Sequence, residues 1–117
     1  AALGVAQLEN LPAFLRNKRS LAMRYKESFN NFTGAHFVDE PAHGKSNFWL
    51  NAIMLDAELA EERDALLGHL RSKGIKARPA WMLMHKLPMF QDCPRMDVPV
   101  AEDIESRLIN IPSSAFL

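Results

Sequence analysis

The run Phe48 to Leu55, F-W-L-N-A-I-M-L, constrains the fold of this chain more than any other stretch. Aromatic and aliphatic residues follow one another with Asn51 as the only polar interruption, the pattern of a strand covered on both faces and set near the middle of a sheet. Trp49 belongs to the core on this reading. Asn47 and Asn51 are expected to hydrogen-bond neighbouring chain.

Helix signals flank the run. Asp56 can cap a following helix, and Glu58, Glu61 and Glu62 stand in its early turns, where the helix dipole favours negative charge. Arg71 and Lys73 fall in its last turn, Gly74 is a left-handed stop, and Ile75 can fold back onto Leu70. Leu59, Leu66, Leu67 and Leu70 form the stripe expected to face the sheet. Upstream, residues 1 to 9 read as a short amphipathic helix interrupted at Gly4. A second helix is expected to start near Pro12, since proline is tolerated in a first turn but not deep inside a helix, and to run to about Phe29. Leu11, Phe14 or Leu15, Lys18, Ala22, Tyr25 and Phe29 recur along it at helical steps, and the charges from Arg16 to Arg19 read as a solvated face.

Short strands complete the pattern. His36 to Val38 is one, ended by Pro41, and Lys76 to Pro79 is another. An irregular segment from Trp81 to Phe90 and a turn at Asp92, Cys93 and Pro94 lead to a last helix near Asp97 and Pro99, with Val100, Ile104 and Leu108 as its apolar face. Leu108 to Ile111 is a final strand. The expected fold is α/β (α+β), a small, mostly antiparallel sheet with helices packed on it, and residues 1 to 117 form one domain.

Charge and cysteine content narrow the function. Fourteen basic and 14 acidic residues cancel, so the chain lacks the basic footprint of a nucleic-acid binder. Its lone Cys93 cannot form an internal disulfide and reads as an inert thiol, no Cys and His spacing matches a zinc site, and a cytoplasmic setting is expected. No apolar run approaches the roughly 18 residues that a membrane span needs, so no membrane partner is expected. The stretch A-H-G-K-S, residues 42 to 46, lacks the first glycine and spacing of a phosphate loop.

The chemistry-bearing residues gather between Gly74 and Phe90, G-I-K-A-R-P-A-W-M-L-M-H-K-L-P-M-F. Arg78 offers a planar fork of donors for a diphosphate, with a surface ion pair as the competing role. Trp81 can stack on a nucleobase or sugar, and packing beside Met82 and Met84 is the competing role. His85 can hydrogen-bond a sugar or a diphosphate, and a half-buried structural histidine is the competing role. The mixture suits an anionic ligand carrying a flat ring, and none of these residues is a complete catalytic apparatus.

The same residues carry a resemblance. The opening A-A-L-G-V-A-Q-L-E-N-L, the stretch G-I-K-A-R-P followed by L-M-H-K-L-P-M-F, and V-P-V-A-E-D-I-E-S-R-L-I-N-I-P-S-S together resemble the small C-terminal domain of the pyridoxal-phosphate-dependent sugar-nucleotide aminotransferases, the DegT and StrS class of fold-type I transferases. The forms N-F-W-L-N and W-M-L-M-H-K-L-P are most similar to the branch of perosamine and UDP-4-amino-sugar synthesis, although Leu83-Met84-His85 stands where many members have a proline before a leucine-histidine pair. The resemblance implies that the full-length protein moves an amino group, usually from glutamate, to the 4-keto carbon of a nucleotide-linked 6-deoxy sugar, as a homodimer. Pyridoxal phosphate, held by a lysine of a larger domain, would supply the electron sink. None of Lys18, Lys26, Lys45, Lys73, Lys76 and Lys86 lies in the family's Schiff-base sequence, so this stretch alone is expected to be inactive, with no cofactor-binding or catalytic residue of its own. It reads as a piece of a longer enzyme, its first helix and Phe116-Leu117 covered by the larger domain. The competing function class is an autonomous α+β ligand-binding or regulatory module without catalysis.

Overall fold

The computed structural model describes residues 1 to 116; Leu117, half of the apolar C-terminal pair, lies outside the described residues. Helix α1 (Ala2–Phe29) leads to strand β1 (Ala35–Phe37), and strand β2 (Asn51–Leu55) passes through a 3-10 turn (Ala57–Glu62) into helix α2 (Arg63–Ser72). Strand β3 (Arg78–Pro79), two 3-10 turns (Met84–Lys86 and Pro88–Phe90), helix α3 (Pro99–Arg107) and strand β4 (Leu108–Ile111) follow. All the strands pair antiparallel, in the order β1-β2-β4-β3.

The expected small antiparallel sheet with β2 inside it is thus present, but β2 is closed on one face and only partly covered on the other. Asn51, Ile53 and Leu55 are buried while Ala52 and Met54 between them are half-buried. Register explains which face is closed: Ile53 stands opposite both Phe37 and Ile109, and Leu55 opposite Ala35, so the inward residues of three strands share one surface. Leu67 of α2 joins them there, and Ala22 of α1 packs with Phe37 and Phe48 beside it. Ile109 is fully buried, a contribution of about 1.5–3 kcal/mol from its side chain.

Three sequence expectations are corrected. The two N-terminal helices are a single α1 of 28 residues that runs through Pro12. Proline removes the bond to the carbonyl of Leu8, but Leu8 is 67% exposed, so water replaces the missing donor at little cost. The apolar run begins pairing only at Asn51, because Phe48 adopts a left-handed backbone with φ of 48° and swings Trp49 out of the core to 66% exposure. Asp56 does not cap the following turn through its side chain; its Oδ2 accepts from the Gly34 amide at 3.2 Å instead.

Other expectations hold in detail. Gly74 has φ of 77°, the Ile75 amide donates to the Leu70 carbonyl at 2.9 Å, and the Gly74 amide donates to Arg71 at 3.0 Å. That pair of bonds closes α2 and aims the chain into β3. The charged run of α1 divides: Arg16 is exposed, whereas Lys18 and Arg19 fold inward. Arg19 makes a two-pronged pair with Glu40 at 2.7 and 3.1 Å, donates to the Ser46 carbonyl, and lies 5.0 Å above the Phe48 ring. On α3 the apolar face is looser than its spacing implies, with Val100 71% exposed.

Candidate functional site

An open cleft of about 970 Å³ lies between the Trp49–Leu50 corner, the Gly74–Trp81 segment and the chain that leaves β4. Each wall has a local cause. The left-handed Phe48 costs about 1–2 kcal/mol for a residue with a side chain, offset by burial of its ring to 3% exposure and by the Arg19 cation above it. Ser46 Oγ accepts from the Phe48 amide and Asn47 Oδ1 from the Trp49 amide, both at 2.9 Å, so the polar residues before the strand fix the corner. The Schellman turn at Gly74 supplies the second wall, and Ser113 anchors the third: its hydroxyl donates to the Ile111 carbonyl and accepts from the Asn51 amide, each at 2.7 Å.

Within the cleft Trp49 and Trp81 face each other, with ring centroids 6.4 Å apart and planes within 20°. Both are largely open to solvent, at 66% and 69% exposure. Arg78 is exposed beside them, and among the described residues it has no ion-pair or hydrogen-bond partner for its guanidinium. In the ladder it stands opposite Asn110, which also lines the cleft and donates to the Pro79 carbonyl at 3.3 Å. The arrangement puts a positive fork and two apolar plates in one cleft, able to hold an anion joined to a flat ring.

The structure therefore brings Arg78 and Trp81 together and sets His85 apart. Its Nε2 lies 3.0 Å from Glu102 Oε1 on α3, and Lys86 next to it pairs with Glu105 at 2.7 Å, so the turn at 84–86 is clasped to that helix. Asn51, expected to bond neighbouring chain, does so through its backbone amide to Ser113, while its side chain is buried and, among the described residues, neither of its polar atoms has a partner.

Two contributors escaped the sequence reading. Trp49 reads as core from its apolar neighbours, although the turn formers Ser46 and Asn47 just before it mark a corner, not a strand. Lys18 sits in the apolar series of α1, and a lysine in such a stripe is the sign of an ammonium with a dedicated set of acceptors. Its Nζ donates to the carbonyls of Ser113 at 2.6 Å, Trp49 at 3.3 Å and Phe48 at 3.4 Å. Burial lowers its pKa below the ordinary lysine value.

Comparison with known proteins agrees with this architecture. GDP-perosamine synthase of Escherichia coli is 36% identical over 113 residues, covering 97% of this chain and 30% of that protein. The dTDP-4-amino-4,6-dideoxy-D-glucose transaminase of Shigella dysenteriae is 30% identical over 121 residues, covering all of this chain and 32% of that protein. Among solved structures, DesI with its TDP-sugar product superposes with a TM-score of 0.90 at 21% identity, over 99% of this chain and 30% of that one. Helicobacter pylori PseC, an aminotransferase of pseudoaminic acid biosynthesis, superposes with a TM-score of 0.89 at 22% identity, over 97% of this chain and 31% of that one. This chain thus spans about a third of the length of the relatives it matches. The sequence profile of the DegT/DnrJ/EryC1/StrS aminotransferase family matches residues 1–117, and the chain belongs to that family.

Proposed function

We propose that this chain is the substrate-holding small domain of a sugar-nucleotide aminotransferase of the perosamine synthase type. The full-length enzyme moves an amino group from glutamate to a nucleotide-linked 4-keto-6-deoxy sugar, as a cytoplasmic homodimer. The observation that carries the reading is the unpartnered Arg78 beside the paired rings of Trp49 and Trp81 in one cleft. A sugar nucleotide offers what that cleft lacks: a diphosphate for the guanidinium and a base to cover exposed indole.

The residues present do not make a pyridoxal phosphate site. A lysine that forms an imine must be free and desolvated. Lys18 is committed to three carbonyls, Lys26 to Asp39 and Lys86 to Glu105, while Lys45, Lys73 and Lys76 are exposed. The cofactor, which supplies the electron sink for transamination, belongs on this reading to the remainder of the enzyme, and Arg78, Trp49 and Trp81 orient the nucleotide. His85 acts through its Glu102 contact, holding the segment that carries Trp81 to α3.

Fluorescence of Trp49 and Trp81, the chain's two tryptophans, tests the reading directly. GDP or dTDP should quench it saturably and glutamate should not. Quenching by neither nucleotide would overturn the proposal.

A further inference from the structure

Lys18 does not line the cleft, yet from helix α1 its ammonium reaches the backbone of two of the cleft's walls. Its three donors meet three backbone carbonyls, those of Phe48, Trp49 and Ser113, and among the described residues no carboxylate. The identity of those carbonyls matters. Phe48 C=O belongs to the peptide plane that precedes Trp49 and Trp49 C=O to the plane that follows it. One ammonium therefore fixes both planes flanking the Trp49 Cα, and with them the direction in which its indole leaves the chain. The third bond ties the same point to Ser113 on the opposite wall, itself pinned to β2 and β4 through its hydroxyl.

Burial does not hold the ring, since Trp49 is 66% exposed with its centroid 6.4 Å from that of Trp81, and Asn47 Oδ1 accepts from the Trp49 amide but leaves the carbonyl that follows it to Lys18. Arg19, one residue further along α1, secures Phe48 through the Ser46 carbonyl and the ring face, but it makes no bond to Trp49. Resting on the reading of the cleft as a nucleotide-sugar surface, we propose that Lys18 is a positioning residue that sets the Trp49–Trp81 pair. It acts through the backbone and touches no substrate. Orientation of the pair then depends on a helix outside the cleft, and a change on α1 alters how the cleft receives a flat ring.

The experiment compares Lys18→Met and Lys18→Arg with the wild-type chain by circular dichroism of the coupled indoles, with Trp49→Phe and Trp81→Phe to assign the band. The expected pattern is a band that either phenylalanine variant abolishes, that Lys18→Met also abolishes, and that Lys18→Arg retains, while all variants melt cooperatively. A band that survives in Lys18→Met overturns the proposal, as does a wild-type spectrum unchanged by Trp49→Phe. Should Lys18→Met fail to melt cooperatively, Lys18→Gln carries the same comparison with the same two outcomes. GDP titration separates this from the nucleotide reading. Missing quenching in the wild type, with the band pattern intact, would overturn the nucleotide reading and leave Lys18 as the residue that sets the pair.

Discussion

The indole rings of Trp49 and Trp81 lie 6.4 Å apart between centroids and within 20° of parallel, and each is more than three-fifths exposed. A tryptophan left in water forgoes most of the stabilisation that burial would bring, so two of them side by side on a cleft mark a surface built to be covered.

Trp81→Ala should therefore leave stability nearly unchanged and weaken nucleotide binding. The loss of the aromatic pair is worth about 0.5–1.5 kcal/mol, whereas a base stacked on an indole is worth about 1–3 kcal/mol. Calorimetric titration with GDP or dTDP beside a melting curve separates the two. A large drop in melting temperature with unaltered affinity would assign the ring to packing.

Acid should loosen the 39–48 corner before the sheet. The hydrogen bonds from Arg19, and then the Ser46 amide, hold the Glu40 carboxyl below its ordinary pKa. Because the folded value lies below the unfolded one, the stabilisation is fully present above the usual carboxylate range, about pH 4.3, and is lost as pH falls through the lower folded value. Glu40→Gln should flatten the acid limb of the stability curve between pH 5 and pH 2, taken as roughly the window in which such a carboxylate titrates. An acid limb identical to that of the wild type would contradict this role.

Asn51 is a cost to the fold. Buried to 1% exposure with both side-chain polar atoms unpartnered, it carries a desolvation penalty of about 1–3 kcal/mol. Asn51→Leu, which keeps the volume close and removes both polar atoms, should leave melting unchanged or raise it. A loss above about 2 kcal/mol would show that the amide makes bonds of its own.

Ile109→Ala should be among the most damaging single changes. Ile109 is fully buried on β4, opposite Ile53, and the truncation removes contacts from both strands for a loss of about 2–5 kcal/mol. Val100→Ala, at an exposed position of α3, should cost under about 0.5 kcal/mol in the same denaturation assay. Equal losses would contradict the assigned core.

How much of this was legible in the residues follows from what kind of signal each element carries. Helix α2 and its Gly74 stop, the strand at Leu108–Ile111 and the inner place of β2 were readable, because periodicity and end signals are local. Continuity of α1 through Pro12 was not, since it depends on that stretch lying open to water, a property of the tertiary fold. Trp49 misled for a related reason: hydrophobicity alone places it with its neighbours in a strand, and only the left-handed turn at Phe48 takes it out. Arg78 and Trp81 were found because they share one short segment, whereas Lys18 reaches Ser113 across most of the chain, and no local pattern reveals such a contact.

The central claim is that this cleft holds the nucleotide and not the amino donor. In the full-length enzyme, single-turnover measurement of both half-reactions for Arg78→Ala tests it most directly. A lost charge-assisted hydrogen bond to the diphosphate predicts a fall of about 1.5–3 kcal/mol, roughly ten- to a hundredfold, in use of the sugar nucleotide, with the glutamate half-reaction unchanged because glutamate carries no diphosphate. Equal loss in both half-reactions, or none in either, would remove Arg78 from the site and contradict the account.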